Sequence, residues 1–169
     1  MERKSITLDK IQKNTATMFQ NWMLLTAGEN APGKFNAMTI GWGFLGFAWG
    51  KPIAVTLVRH HRYTFEFMER AEDFTICSFP PQYRDALNLL GTKSGRDGDK
   101  VAASGLTPVA SKIVRAPAYA EADLVLECKK AHFYDMREQD VAAKWVLDVY
   151  PGRDFHKMYF GEIVHVEEA

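Results

Sequence analysis

Arg59-His60-His61-Arg62, followed by Tyr63 and Thr64, set two guanidinium groups and two imidazoles beside a hydroxyl. Arginine can fork onto phosphate oxygens. Thr64, at the start of a helix, adds a hydroxyl where free N–H groups and the helix dipole favour an anion. The ordinary alternative is a strand end whose charges keep the edge solvated. The stretch Ser94-Gly95-Arg96-Asp97-Gly98-Asp99-Lys100 is a second cationic element. Its successive loop N–H groups can form a concave anion nest, with Lys100 as a point charge. It lacks the Gly-Lys-Ser/Thr order of a Walker A loop, and a plain surface loop also accounts for it. Two separate phosphate-ready elements are less easily accidental than one.

A third group, Asn36-Ala37-Met38-Thr39 with Trp42, places hydrogen-bonding side chains and a ring for stacking along one strand. A turn asparagine and a core tryptophan would look the same. Hydrolytic and metal chemistry find no motif: GxSxG and HExxH are missing. His60 and His61 are neighbours on a strand end, so their side chains should face opposite ways and share no metal. His132, His156 and His165 are scattered, and no metal site is expected from them. His156 stands out because it precedes the final strand and could close a pocket from the far side.

The elements that must position these residues read as mostly strands. Within residues 17–27 the run Trp22-Met23-Leu24-Leu25 predicts a first strand, ended by the turn-rich residues 28–33. Residues 35–49 mix β formers with Gly41, Gly43 and Gly46, which suits bulges, barrel bends or close ligand approach. Lys51-Pro52 is expected to turn, and residues 53–58 form a strand. Thr64 is predicted to cap a helix carrying Phe65, Phe67, Met68 and Ala71. Residues 73–79 alternate as a strand stopped by Pro80-Pro81. Residues 82–90 form a helix with Gly91 as C-cap. Asp99 caps a short helix over residues 100–104, closed by Gly105. Leu124, Leu126 and Cys128 should face opposite to Asp123, Val125 and Glu127. Residues 141–149 read as helix, Pro151-Gly152 as a turn, and residues 158–166 as the last strand. Hairpin-like spacing favours an antiparallel barrel with added helices. A doubly wound sheet is disfavoured, since no Gly-rich turn joins a strand to a long helix.

The 169 residues suffice for one domain, taken as 1–169, with a sizeable core. Lys plus Arg equal Asp plus Glu at 21 each, so no global charge recruits nucleic acid or a membrane. Cys77 and Cys128 lie far apart in apolar runs and read as buried free thiols. The first residues lack an apolar signal segment, and no apolar run spans a bilayer, so a cytoplasmic protein is expected.

With these residues in view, the chain resembles the flavin reductase-like, FMN-binding split-barrel family, closest in style to the flavoredoxins. The resemblance spans about residues 22–166. It is carried by Asn36-Ala37-Met38-Thr39 with Trp42, by VTLVR and then Arg62-Tyr63-Thr64, and by DFTICSFP at 73–80. SGRDGDK at 94–100, LVLECK at 124–129 and HKMYFGEIV at 156–164 complete it. The resemblance implies a mainly β, Greek-key split β-barrel with added helices, acting as a homodimer with non-covalent FMN near the subunit interface. Asn36, Ala37, Met38, Thr39 and Trp42 would then lie along the isoalloxazine and ribityl groups. Arg59, Arg62, Tyr63, Thr64, Ser94 and Lys100 would surround the phosphate. His156, the first candidate acid, would approach with Phe160 from the last strand. NADH or NADPH would deliver hydride to the flavin N5, and electrons would pass to free flavin, oxygen or a protein acceptor. An FMN-binding electron carrier or sensor without nicotinamide turnover is the alternative, and a barrel that has lost flavin a third. Two features depart from the pattern. His60 stands where many relatives have proline, and residues 137–155 exceed the usual short turn.

Overall fold

The central strands are apolar on both faces, and that pattern decides where the core lies. Along β2 (Met23–Gly28), Met23, Leu25 and Ala27 join one buried cluster while Leu24 joins another. β6 (Asp73–Ser78) divides Phe74 and Ile76 from Cys77, and β9 (Leu124–Asp135) divides Leu124, Leu126 and Cys128 from Val125. The alternation expected for β9 therefore holds, although both of its faces are covered.

The computed structural model describes residues 2–169. The remaining strands are β1 (Lys4–Ser5), β3 (Phe35–Ile40), β4 (Gly43–Ala48), β5 (Lys51–Arg59), β7 (Pro108–Val109), β8 (Ala118–Tyr119) and β10 (His156–Glu168). Every pairing is antiparallel, in the order β3-β2-β6-β9-β10-β5-β4, with β1 added to the end of β10. β3 and β4 stand at opposite ends of this order, yet only Gly41 and Trp42 separate them in the chain. The sheet must curl until its two edges meet there: a split barrel, with the seam at Trp42. Helices α1 (Tyr63–Arg70), α2 (Arg84–Thr92), α3 (Lys100–Ser104) and α4 (Lys144–Asp148) decorate it. Among the described residues, no helix is long and apolar enough to cross a membrane.

Apart from the Thr56 hydroxyl, which has no partner among the described residues, the buried polar side chains are tied down. Glu127 accepts hydrogen bonds from the backbone N–H groups of Lys112, Ile113 and Val114 at 2.7, 2.7 and 3.1 Å, which staples the connection between β7 and β8 to the barrel. Cys77 and Cys128 are buried free thiols, as expected, and burial pushes Cys77 up to about 12.

Several boundaries differ from the sequence expectation. Residues 35–49 form two strands. The turn falls at Trp49-Gly50, both at positive φ (52° and 71°), and not at Lys51-Pro52. That pair has the signature of a tight hairpin turn. Pro52 is tolerated inside β5 because the ladder to β10 begins only at Ile53. The expected helix over 141–149 shrinks to α4, after a 3-10 turn at Glu138–Asp140. The last strand starts two residues earlier than expected, which puts His156 in register with Arg59.

Candidate functional site

Two hollows meet at Arg62, on the seam side of the barrel. The basic one lies between the start of α1 and the loop joining α2 to α3. Thr64 is not the N-cap. Arg62 holds that position in extended backbone, and Thr64 sits inside the helix, buried, with its Oγ1 accepting from Asn36 Nδ2 at 2.7 Å. Lys100 is buried, and its Nζ donates to the carbonyls of Leu90 (2.8 Å) and Lys93 (3.1 Å). Arg62 Nη2 donates to Gly91 O at 2.9 Å. Both cations thus sit on the carbonyls that end α2, where the helix dipole favours positive charge. Burial, with Arg62 nearby, lowers Lys100 to about 8. Burial and then Arg59 lower Arg62. Arg96 lies over the Tyr63 ring at 4.8 Å and pairs with Glu66 at 2.5 Å. Ser94, Thr92, Lys93 and His61 complete the lining.

Two glycines make close approaches here. A Cβ on Gly95 would sit 2.3 Å from Asn36 Oδ1, so only glycine lets the loop close on β3. Gly91 is not the C-cap of α2. It lies within the helix, 3.2 Å (from an added Cβ) from Thr39 Cβ, and the cap is Lys93. The absent side chain lets α2 lie against β3.

The aromatic hollow is lined by Met38, Thr39, Ile40, Trp42, Leu57, Arg59 and His156. Trp42 is 44% exposed, with its ring 5.0 Å from that of His156. The Thr39 hydroxyl donates to Leu87 O at 2.5 Å. His156 is buried, and its Nδ1 lies 2.7 Å from the Tyr150 hydroxyl. Burial, then the charge on Arg59, lower its pKa to about 4, so the ring is neutral at pH 7. Arg59 Nη1 pairs with Asp154 Oδ2 at 2.6 Å, and its guanidinium lies 5.4 Å from the Tyr150 ring centroid.

The sequence-derived residues are distributed as follows. Arg62, Tyr63, Thr64, Ser94 and Lys100 come together around the basic hollow. Met38, Thr39, Trp42 and His156 come together around the aromatic one. Arg59 stands with the aromatic group, not at the basic end. Asn36 lies behind the basic hollow, and Ala37 is in the core cluster under α2. Phe160 is elsewhere, against His132 (5.4 Å) and Trp49 (6.0 Å). His60 bridges Asp135 at 2.7 Å and Phe155 O at 3.2 Å. Sequence reasoning missed Tyr150, Asp154, Leu57 and Arg96. The only signal for the first two was the extra length of residues 137–155.

An antiparallel split barrel whose seam carries an aromatic-walled hollow that shares Arg62 with a basic one has the shape and charge for a ligand flat at one end and anionic at the other. The chain belongs to the flavin reductase like domain family, whose model matches residues 15–169. Among solved structures it is similar to the flavoredoxin of Desulfovibrio vulgaris (Miyazaki F), at 23% identity and a TM-score of 0.68, covering 88% of this chain and 69% of that one. It is also similar to the flavoredoxin from Methanosarcina acetivorans, at 22% identity and 0.69, covering 95% and 75%. The NADH:FAD oxidoreductase of Streptomyces globisporus C-1027 matches at 15% identity and 0.66, covering 88% and 75%. No curated protein matches the sequence.

Proposed function

We propose that this chain binds FMN non-covalently and works as an NAD(P)H-dependent oxidoreductase, a flavin reductase or a flavoredoxin-like protein. The observation that carries this reading is the meeting of the two hollows at Arg62. Family membership supports it, as do the names of similar structures, one of which is a complex with NAD and FAD fragments.

The donor set fits FMN at both ends. Met38, Ile40, Leu57 and Trp42 offer apolar walls for a flat ring system. Thr39 has spent its proton on Leu87 O and offers a ligand only an acceptor. Lys100 has three N–H donors, of which Leu90 and Lys93 take two, leaving one for a phosphate oxygen. Arg62 likewise keeps free N–H groups beyond the one held by Gly91. Because backbone carbonyls already fix these cations, a phosphate meets ordered charge and little side-chain entropy is lost. FMN, when bound, supplies the hydride and electron chemistry. The protein's part is to seat the ring against Trp42, hold the phosphate, and present the neutral His156 ring at the far end.

A homodimer is part of the proposal. Edge strand β4 leaves Phe44 and Phe47 exposed, with Trp49 at its hairpin tip, and such an unpaired apolar edge calls for a partner. Phe160 packs beside Trp49 and so belongs to that surface.

The test is an absorption spectrum of the purified protein during FMN titration and then after NADH or NADPH. The expected results are saturable FMN binding, bleaching by the nicotinamide, and steady-state oxidation faster than free FMN supports. Absence of binding overturns the reading; binding without turnover makes the chain an FMN-binding electron carrier.

A further inference from the structure

The two ring nitrogens of His156 have different surroundings. Nδ1 lies 2.7 Å from the Tyr150 hydroxyl. Nε2 has no protein hydrogen-bond partner among the described residues, and the ring lines the aromatic hollow beside Trp42 and Arg59. Tyr150 is firmly placed. It is 2% exposed, its ring packs on Phe155 at 4.8 Å, and it meets His156 and Trp42 edge-on. Its single hydroxyl proton has two available acceptors, His156 Nδ1 and the Met136 sulfur at 3.9 Å. A thioether is a weak acceptor and an imidazole nitrogen a strong one, so the proton goes to Nδ1.

We propose that Tyr150 is a positioning residue: by donating to Nδ1 it fixes His156 as the Nε2–H tautomer, so His156 itself offers the hollow an N–H donor and no acceptor. That donor selects a ligand that carries a lone pair opposite His156, on a carbonyl oxygen or an imine-type ring nitrogen. That this acceptor belongs to FMN rests on the function proposed above; the tautomer does not. The ring is neutral at pH 7, so a tautomer is there to be chosen, and the charged or titratable groups facing it are Arg59, Asp154, His61 and His60. Burial raises Tyr150, which keeps its hydroxyl protonated as a donor.

Nitrogen-15 NMR of histidine-labelled protein at pH 7 reads the two ring nitrogens directly, the His156 signals being assigned by their loss in His156→Gln. The expected wild-type spectrum shows a protonated Nε2 and a bare Nδ1. Tyr150→Phe keeps the ring and removes the hydroxyl, and should give a mixture of tautomers. A protonated Nδ1 in wild type overturns the proposal, as does an unchanged tautomer in Tyr150→Phe. The wild-type spectrum decides even if that variant fails to fold. FMN titration adds a second reading, because a glutamine amide reaches the Nε2 position and an asparagine amide only that of Nδ1. His156→Asn should bind FMN about fivefold more weakly than His156→Gln, and equal losses overturn the donor assignment. Wild type that binds no FMN overturns the function proposed above instead, while the ring nitrogens still settle the tautomer.

Discussion

The basic hollow draws its groups from two short stretches, residues 61–64 and 91–100, while the aromatic hollow gathers them from β3, the seam, β5 and the start of β10. The first is held by backbone: the carbonyls of Leu90, Gly91 and Lys93 fix two cations. The second is held by side chains: Tyr150 on His156, Asp154 on Arg59, Trp42 against both rings. A hollow built on main-chain acceptors keeps its shape when a neighbouring side chain changes. One built from side chains transmits each change to the next. The two should therefore respond differently to mutation and to pH.

The largest expected effect is at the closure of the basic loop. Gly95→Val drives a side chain into Asn36 and Tyr63 and should destabilise the fold by about 3 kcal/mol, as overpacking does. Thermal unfolding measures this, and an unchanged midpoint would show that the loop is not rigid. Next is Lys100→Ala, expected to weaken FMN by about 2 kcal/mol for the lost charged hydrogen bond while hardly affecting riboflavin. Parallel titrations with both ligands check it, and equal losses would place Lys100 away from the phosphate.

The same lysine gives a sharper version. Below pH 8 it is charged with or without ligand; above, the free protein must take up a proton to bind a phosphate. FMN affinity should fall by up to about tenfold per pH unit above 8, and riboflavin affinity should stay level.

At the aromatic end the pH effect runs through stability. The folded pKa of His156 is lowered to about 4 from 6.5, so its contribution is complete above 6.5 and is lost as pH falls through 4. Acid denaturation should show a loss on the order of 1–2 kcal/mol across that window, solvent screening cutting the roughly 3 kcal/mol that the full shift would give, and His156→Gln should remove that part of the slope. The smallest effect belongs to Asp154→Asn. The pair with Arg59 is about a third exposed, and its loss should cost about 0.5 kcal/mol in urea unfolding.

The difference between the hollows also explains what could be read from the chain. Ser94, Lys100, Arg62 and Thr64 were legible because their groups converge across a few residues of loop and helix start. Arg59 was misplaced because its neighbourhood depends on the register that sets it opposite His156, a pairing of strands nearly a hundred residues apart. Tyr150 carried no motif, and only a buried ring at the end of an overlong connection marks it. The strand pattern announced a barrel through its hairpin-like spacing, while the second covered face at Leu24, Cys77 and Val125 came only with the fold. The glycines were harder. Gly50 brings the hairpin turn ahead of Pro52, and Gly91 yields to Thr39 instead of ending its helix. Gly91 is settled by a neighbour distant in sequence, Gly50 by the local turn it makes with Trp49.

The two-residue link between β3 and β4 has a mechanical consequence. Ile40 and Gly43 are three Cα steps apart, so the strand ends there can never part by more than about 11 Å. Beyond that tether no ladder joins the two edges, since neither strand pairs with the other. Widening of the wall away from Gly41-Trp42, as a wedge, would therefore cost no interstrand bond. Trp42 sits at the apex of that wedge, so its emission should report the gap angle before any other tryptophan senses a ligand.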